Sequence, residues 1–245
     1  MKHLRNFFGL LALLAAFSCT KNHAEGSGQV LFSLSSDLEI AEQTRSSVSQ
    51  YTALPSTGDF TVSITNTSSN TAVWTGKISD WDSTTPLPVG SYKASATYGS
   101  LEEEGFDNPF FTGSSDFTVV AGKTAEVKIT VALGNTVVLV SCTDAFRNYY
   151  KDYSFKLTRN GAEIVSFVKD ESRAAFVDGY KFTLEGSVTG PTGKKSAFSK
   201  DYTSLNEATA YTLSFDVSNV GGTAITVTFN NSVETIELGD VELND

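Results

Sequence analysis

The sequence predicts an all-β protein, built as two tandem Greek-key β-sandwiches behind a lipoprotein signal peptide. Three observations carry this prediction. Apolar and polar residues alternate with a period of two in run after run. Three stretches of the first half recur, in the same order, in the second. The chain opens on a short apolar run that ends at a cysteine.

The opening segment comes first. Lys2 and Arg5 precede eleven residues, Phe7 to Phe17, that are apolar apart from Gly9. A bilayer-spanning helix needs roughly 20 apolar residues, so this run has the length of a secretory signal instead. Ala16-Phe17-Ser18-Cys19 reads as a lipobox, followed at once by polar residues. The expectation is a signal peptide over residues 1–18 and lipidation of Cys19, which becomes the mature N-terminus. Each buried acyl methylene contributes about 0.8 kcal/mol, and two or more chains make anchoring stable. Residues 19–28 are then a lipidated tether, since their Gly, Ser, Ala and Asn cannot build a core.

The body is read as strands. Phe60, Val62 and Ile64 alternate with Thr61, Ser63 and Thr65. The same period recurs over Tyr92–Tyr98, Val127–Leu133, Tyr153–Leu157, Tyr180–Leu184, Tyr211–Val217 and Ile225–Phe229. Such runs form strands with one buried and one wet face. No amphipathic helix is expected. Asn160-Gly161, between Tyr153–Leu157 and Ile164–Phe167, is a strong hairpin signal, and Ala121-Gly122-Lys123 links two further runs.

The duplication sets the organisation. Val30–Ser35 matches Val138–Thr143, Val89–Ala96 matches Val177–Leu184, and Ser115–Val131 matches Lys200–Asp216. Two copies of one sandwich follow, residues 29–134 and 135–245, each about the size of a seven-stranded immunoglobulin-type sandwich. The match puts Cys142 at the position of Leu34, where it acts as a small core hydrophobe. The strands around Ile225 and Ile236–Leu243 are expected to close the second sandwich.

Charge and composition exclude several functions. The chain carries 18 Lys and Arg against 28 Asp and Glu. Removing the signal takes away Lys2 and Arg5 and no acid. Such a balance argues against nucleic acid, whose phosphates are bound through Lys and Arg. Cys142 is the one cysteine besides Cys19, so no intramolecular disulfide is expected. Of the two histidines, His3 leaves with the signal and His23 sits in the tether, which leaves no histidine for a catalytic or metal site in the body.

Candidate chemistry is sparse. Asp80-Trp81-Asp82 with Thr84 offers too few oxygens for calcium and reads as a turn. Glu102-Glu103-Glu104 with Asp107 reads as a solvated acidic loop. Trp74 and Trp81 are the candidate glycan-binding residues, because exposed aromatic planes stack on sugar rings; Phe106, Phe110 and Phe111 lie nearby. Packing is the competing use for such rings. No nucleophile elbow, phosphate-binding glycine loop or dinucleotide fingerprint is present. The chain is therefore read as no enzyme, with no cofactor, metal or catalytic residue.

The ordered combination of a lipobox, GQVLFSLSSD (28–37), LPVGSYKASATYG (87–99) and DNPFFTGSSDFTVVAGKTAEVKITVAL (107–133) resembles the Bacteroidota lipoproteins grouped as domain of unknown function 4493. LPVGSYKASATYG by itself is common among transthyretin-like and immunoglobulin-like surface domains. The resemblance brings no catalytic residue. It implies a cell-envelope lipoprotein, similar in layout to two-domain fimbrial and adhesin lipoproteins and lipid-anchored on the outer membrane, surface-exposed. It also singles out Arg45: in lipoproteins of that layout, cleavage after an early arginine releases a strand and opens a groove for a neighbour's strand. Two functional readings stand. One is adhesion or fimbria-like assembly with other surface proteins; the alternative is surface glycan binding for nutrient capture. The membrane is a partner through the anchor in both.

Overall fold

The computed structural model describes residues 26–36, 39–40, 46–179, 181–218, 224–229 and 232–240. Cys19 and Arg45 lie outside them. The first half contains β1 (Ser27–Ser36), β2 (Glu39–Ile40), β3 (Ser46–Ser47), β4 (Thr61–Asn66), β5 (Thr71–Lys77), β6 (Leu87–Pro88), β7 (Gly90–Tyr98), β8 (Gly105–Phe106), β9 (Phe111–Val119) and β10 (Thr124–Leu133). The second contains β11 (Thr136–Cys142), helix α1 (Asp144–Tyr149), β12 (Asp152–Arg159), β13 (Ala162–Val168), β14 (Ala175–Val177), β15 (Lys181–Thr189), β16 (Lys195–Thr203), β17 (Ala210–Val217), β18 (Ala224–Phe229), β19 (Ser232–Glu237) and β20 (Gly239–Asp240). The protein is all-β, and every alternating run of the sequence forms a strand.

In the first sandwich, β5-β4-β7-β9 form one antiparallel layer. The other layer is β1 lying parallel to β10, with β6 on its margin. β10 changes layer at its end, where Ala132 and Leu133 pair with Thr112 and Phe111 of β9. Val62, Ile64, Tyr92 and Ala94 meet Val30, Val127, Ile129 and Val131 in one buried core. These are the inward positions of the period-two pattern, so alternation alone aims them at each other.

The second sandwich repeats the plan. Layer β13-β12-β15-β16-β20 faces layer β19-β18-β17-β11-β14-β8. β11 runs parallel to β17 as β1 does to β10. Both leading hairpins carry a register shift at the same point, Ile64/Thr65 in β4 and Leu157/Thr158 in β12. Leu34 stands opposite Ile129 and Cys142 opposite Phe215, so these two positions correspond. Two of the sequence matches shift. Ala94 pairs with Ile64 and Leu184 with Leu157, which aligns Ala94 with Leu184 rather than with Phe182. The match of 115–131 to 200–216 holds along β9 and β16 but slips by one residue in the following turn, since Val127 is buried while Thr212 is exposed and Leu213 is buried. Burial chooses the register where similarity of letters does not.

One helix was not expected. Thr143 ends β11's polar side and caps α1, its Oγ1 accepting the Phe146 N–H at 3.1 Å and donating to Asp216 at 2.6 Å. The helix has only six residues and buries Phe146 alone, too short for a periodic signal. The hairpin at Asn160-Gly161 forms as expected, both residues at positive φ, 52° and 79°.

The two sandwiches exchange parts. Val137, Ala174 and Phe176 of the second half pack into the first core. In return β8 pairs with β14, and the Phe106 ring meets Phe167 edge-on at 5.1 Å. The acidic loop is corrected at Glu104 and Asp107. Glu104 bonds Arg159 and accepts the Asp178 N–H, each at 2.6 Å, and Asp107 pairs with Arg173 at 3.2 Å. Arg173 also lies over the Phe106 ring, 4.3 Å from its centre. Glu102 and Glu103 are exposed, as expected of a solvated loop, while Glu104 and Asp107 clamp the halves together.

Candidate functional site

Three features stand near β1: an aromatic corner, an unpaired strand edge and an apolar slot. The corner holds both tryptophans. Trp74 faces inward on β5, opposite Ile64. Gly76, two positions on, lets the indole lie across it; a Cβ there would sit 2.9 Å from Trp74 Cζ2. Trp81 follows the turn after β5 and meets Trp74 edge to face, centroids 5.0 Å apart at 72°. Phe32 of β1 meets Trp81 the same way at 5.3 Å. Trp81 Nε1 donates to the Val30 carbonyl at 3.0 Å. Both rings are half-buried and packed on the first core, so they are brought together but present no flat platform. Phe111 is buried and Phe106 packs in the clamp.

Neighbouring Asp82 is committed to its own turn. Its Oδ1 accepts the Thr84 N–H at 2.8 Å and the Thr84 hydroxyl at 2.6 Å. These bonds hold its carboxyl below the usual carboxylate range. Among the described residues, no three Asp, Glu, His or Cys converge as a metal site would require.

The strand edge follows from pairing geometry. In a parallel pair, alternate residues direct both backbone groups to one neighbour. The Gln29 N–H donates to the Lys123 carbonyl at 3.0 Å, so Gln29, Leu31, Ser33 and Ser35 bond to β10. Val30, Phe32 and Leu34 then face away. β6 pairs with Ser27 and Gly28 only, and Trp81 takes the Val30 carbonyl. Among the described residues no strand pairs with Phe32 or Leu34 on that side. Beside them opens a slot of about 110 Å³, walled by Leu34, Leu54, Phe60, Phe111 and Val131 and rimmed by Ser35, Ser36 and Thr57.

β11 repeats the arrangement. β14 pairs with Thr136–Val138 only, and the Val137 and Thr143 N–H groups go to β17. Val140 and Cys142 therefore face a cleft of about 430 Å³ bounded by Tyr153, Phe155 and Val168. Cys142 is a free, buried thiol, pushed up to about 11 mainly by desolvation, which leaves it unreactive at neutral pH. The alternation shows each strand's inward face, but nothing in the sequence marks which strand lacks a lateral neighbour.

Comparison with known proteins places the chain. A family model described as a domain of unknown function, DUF4493, matches residues 26–244. No curated protein matches the sequence. Several solved structures resemble it along most of their length. A putative polysaccharide-binding protein from Bacteroides thetaiotaomicron is 12% identical, with a TM-score of 0.48 over 87% of this chain and 99% of that one. A putative adhesin from the same species is 12% identical, with a TM-score of 0.47 over 88% and 99%. The fimbrial anchor protein Mfa2 from Porphyromonas gingivalis is 14% identical, with a TM-score of 0.45 over 84% and 98%.

Proposed function

This chain belongs to the family described as domain of unknown function DUF4493, and on that premise we propose that it is a non-enzymatic lipoprotein of the cell envelope whose work is contact: adhesion, or assembly in the manner of a fimbrial subunit. The observation that carries the reading is a strand edge, unpaired among the described residues, beside a cleft in each sandwich; Arg147, Asp170 and Glu171 add charge to the apolar wall of the second. Such an edge offers backbone donors and acceptors to an incoming strand, and the cleft takes its alternate side chains. Cys19 supplies the anchor on the outer membrane, and the body faces outward. No helix among the described residues is long and apolar enough to cross a membrane. Cleavage after Arg45 belongs to the assembly branch: it would part Cys19 and β1 from the rest of the body and open the β10 edge, against which β1 lies, to a neighbour's strand.

The glycan-binding alternative asked for flat, exposed rings at Trp74 and Trp81, whereas these rings meet edge to face and half-buried. Protease shaving of intact cells tests the reading: loss of the protein from the surface supports contact, and protection rules it out. Polymer ladders on undenatured gels that vanish with Arg45→Ala identify the assembly branch. Ladders that persist assign Arg45 no part in it.

A further inference from the structure

The two clefts are unequal, and the second owes its size to a detour of the chain. β14 pairs with β11 from Ala175, opposite Val138, onwards. One more step back along that ladder would lay the preceding residues beside Val140 and Cys142. Instead they swing outward. Asp170 takes a positive φ of 66°, and the Glu171 N–H donates to the Val168 carbonyl at 3.0 Å. The Glu171 carboxylate accepts the Ser172 and Arg173 N–H groups at 3.0 and 2.9 Å. Arg173 pins this turn from outside, 2.8 Å from Glu171 and 3.2 Å from Asp107 of the first sandwich. The contacts between the halves therefore hold residues 170–172 away from β11. The cleft left between them measures about 430 Å³, against about 110 Å³ for the slot beside β1.

Charge is uneven around this cleft. Glu171 is taken up by Arg173. Asp170 accepts the Tyr153 hydroxyl at 3.4 Å, and Lys169 lies over the same ring, 5.9 Å from its centre, so the Tyr153 end carries both signs. The Cys142 end belongs to Arg147 of α1. Arg147 is about half-exposed, and its ion pair with the exposed Asp144 is long, at 3.7 Å. Desolvation dominates the raised pKa of Cys142, and the opposing pull of Arg147 there exceeds the push of Asp170. That end of the cleft is electropositive. The slot beside β1 has no charged residue in its wall.

We infer that the second cleft receives an extended segment of another polypeptide, which prolongs the line of β14 along Val140 and Cys142, seats a large apolar side chain against Tyr153, Phe155 and Val168, and turns a carboxylate towards Arg147. The inference rests on the contact role of the proposed function and names the partner's chemistry at one of its two edges. Backbone bonds to Val140 and Cys142 supply affinity, and the cleft and Arg147 supply selectivity. Because Arg173 holds the cleft open beforehand, little ordering cost falls on this side of the contact. A segment antiparallel to β11, as β14 is, brings its N-terminal end to Cys142. The acid therefore precedes the apolar residue in the partner.

The probes are acetylated, amidated heptapeptides of alternating threonine with a central phenylalanine, carrying Glu, Gln or Lys two positions before it. Each is titrated into the full chain in detergent. Expected is binding several-fold tighter for the Glu peptide than for the Lys peptide, with Gln between them. The order reverses in Arg147→Glu, and the three peptides converge in Arg147→Gln, which serves if the first variant does not fold. Hydrogen exchange at the Val140 and Cys142 amides slows when the Glu peptide binds. Absence of binding by all three, equal binding of the Glu and Lys peptides, or unchanged exchange at both amides overturns the inference. Peptide binding by a protein that shaving of intact cells leaves untouched overturns the surface-contact reading and keeps the site. A shaved protein that binds no peptide loses the site alone.

Discussion

The Glu104 carboxylate lies 2.6 Å from the Arg159 guanidinium, and its other oxygen accepts the Asp178 N–H at 2.6 Å. The two charged residues stand 55 positions apart on different sandwiches, with side chains 15% and 24% exposed. Arg159 also donates to the Asp178 carbonyl. One carboxylate therefore holds a side chain and a backbone amide of the opposite half.

Glu104→Ala leaves the Asp178 amide without this acceptor and Arg159 without its carboxylate, though Arg159 keeps its bonds to the Asp178 and Lys181 carbonyls. The expected cost is about 1–3 kcal/mol, read as a lower urea midpoint. Because the halves also share core residues, unfolding stays a single transition in the native chain. Two resolved transitions by tryptophan fluorescence and far-UV circular dichroism would contradict the shared cores.

Trp81→Ala removes ring contacts to Trp74 and Phe32 and the bond to Val30. A half-buried tryptophan of this kind is expected to contribute about 2–4 kcal/mol. Thermal unfolding of the variant should therefore move down markedly. Unchanged stability, combined with lost binding on a glycan array, would return the ring to the glycan reading.

Stability is expected to fall at both pH extremes, for identifiable reasons. Burial pushes Cys142 from 9.0 up to about 11, and Tyr150 and Tyr202 from 10.0 up to about 12. The unfolded chain loses these protons first, so their contribution is complete below pH 9 and is lost as the pH rises towards 11 and 12. In the other direction, hydrogen bonds from Arg173 hold Glu171 down at about 2 against 4.5. That contribution is present above pH 4.5 and is lost as the pH falls towards 2. Urea midpoints across pH 2–12 should show both declines. Cys142→Ala is expected to flatten the step between pH 9 and 11, and Glu171→Gln the acid step.

Two glycines separate close packing from backbone conformation. A Cβ on Gly113 would stand 2.1 Å from the Thr130 carbonyl oxygen, where β9 approaches β10. Gly122 has φ +67° and open space around it. Gly113→Ala should cost about 1–3 kcal/mol or more by overpacking, and Gly122→Ala about 1–2 kcal/mol from left-handed backbone strain alone. A wild-type midpoint for Gly113→Ala would show that β9 and β10 can part without penalty.

Much of the fold is legible in the letters. Val62, Ile64 and Tyr92 announce their inward faces because strand side chains alternate, and the repeated blocks announce a repeated topology. Cys142 was placed correctly by matching it to Leu34. The exact register of the repeat was not legible, since Ala94 and Phe182 look equally suited to an inward position until pairing with Ile64 and Leu157 separates them. Helix α1 was missed because one capping threonine and one buried phenylalanine make no period. The tryptophans were legible as aromatics near turns, and their edge-to-face packing was not.

By itself the sequence determined the all-β class, the doubling, the acidic balance and the inward face of each strand. These depend on neighbours one or two positions away, which is the range over which a strand's geometry is set. Tertiary structure alone decided that Glu104 would clamp Arg159, that Trp81 would bond Val30, and that β1 and β11 would each keep a side with no partner strand among the described residues. Those outcomes turn on which distant segments lie side by side, and residues facing one way along a strand carry no record of what will stand beside it.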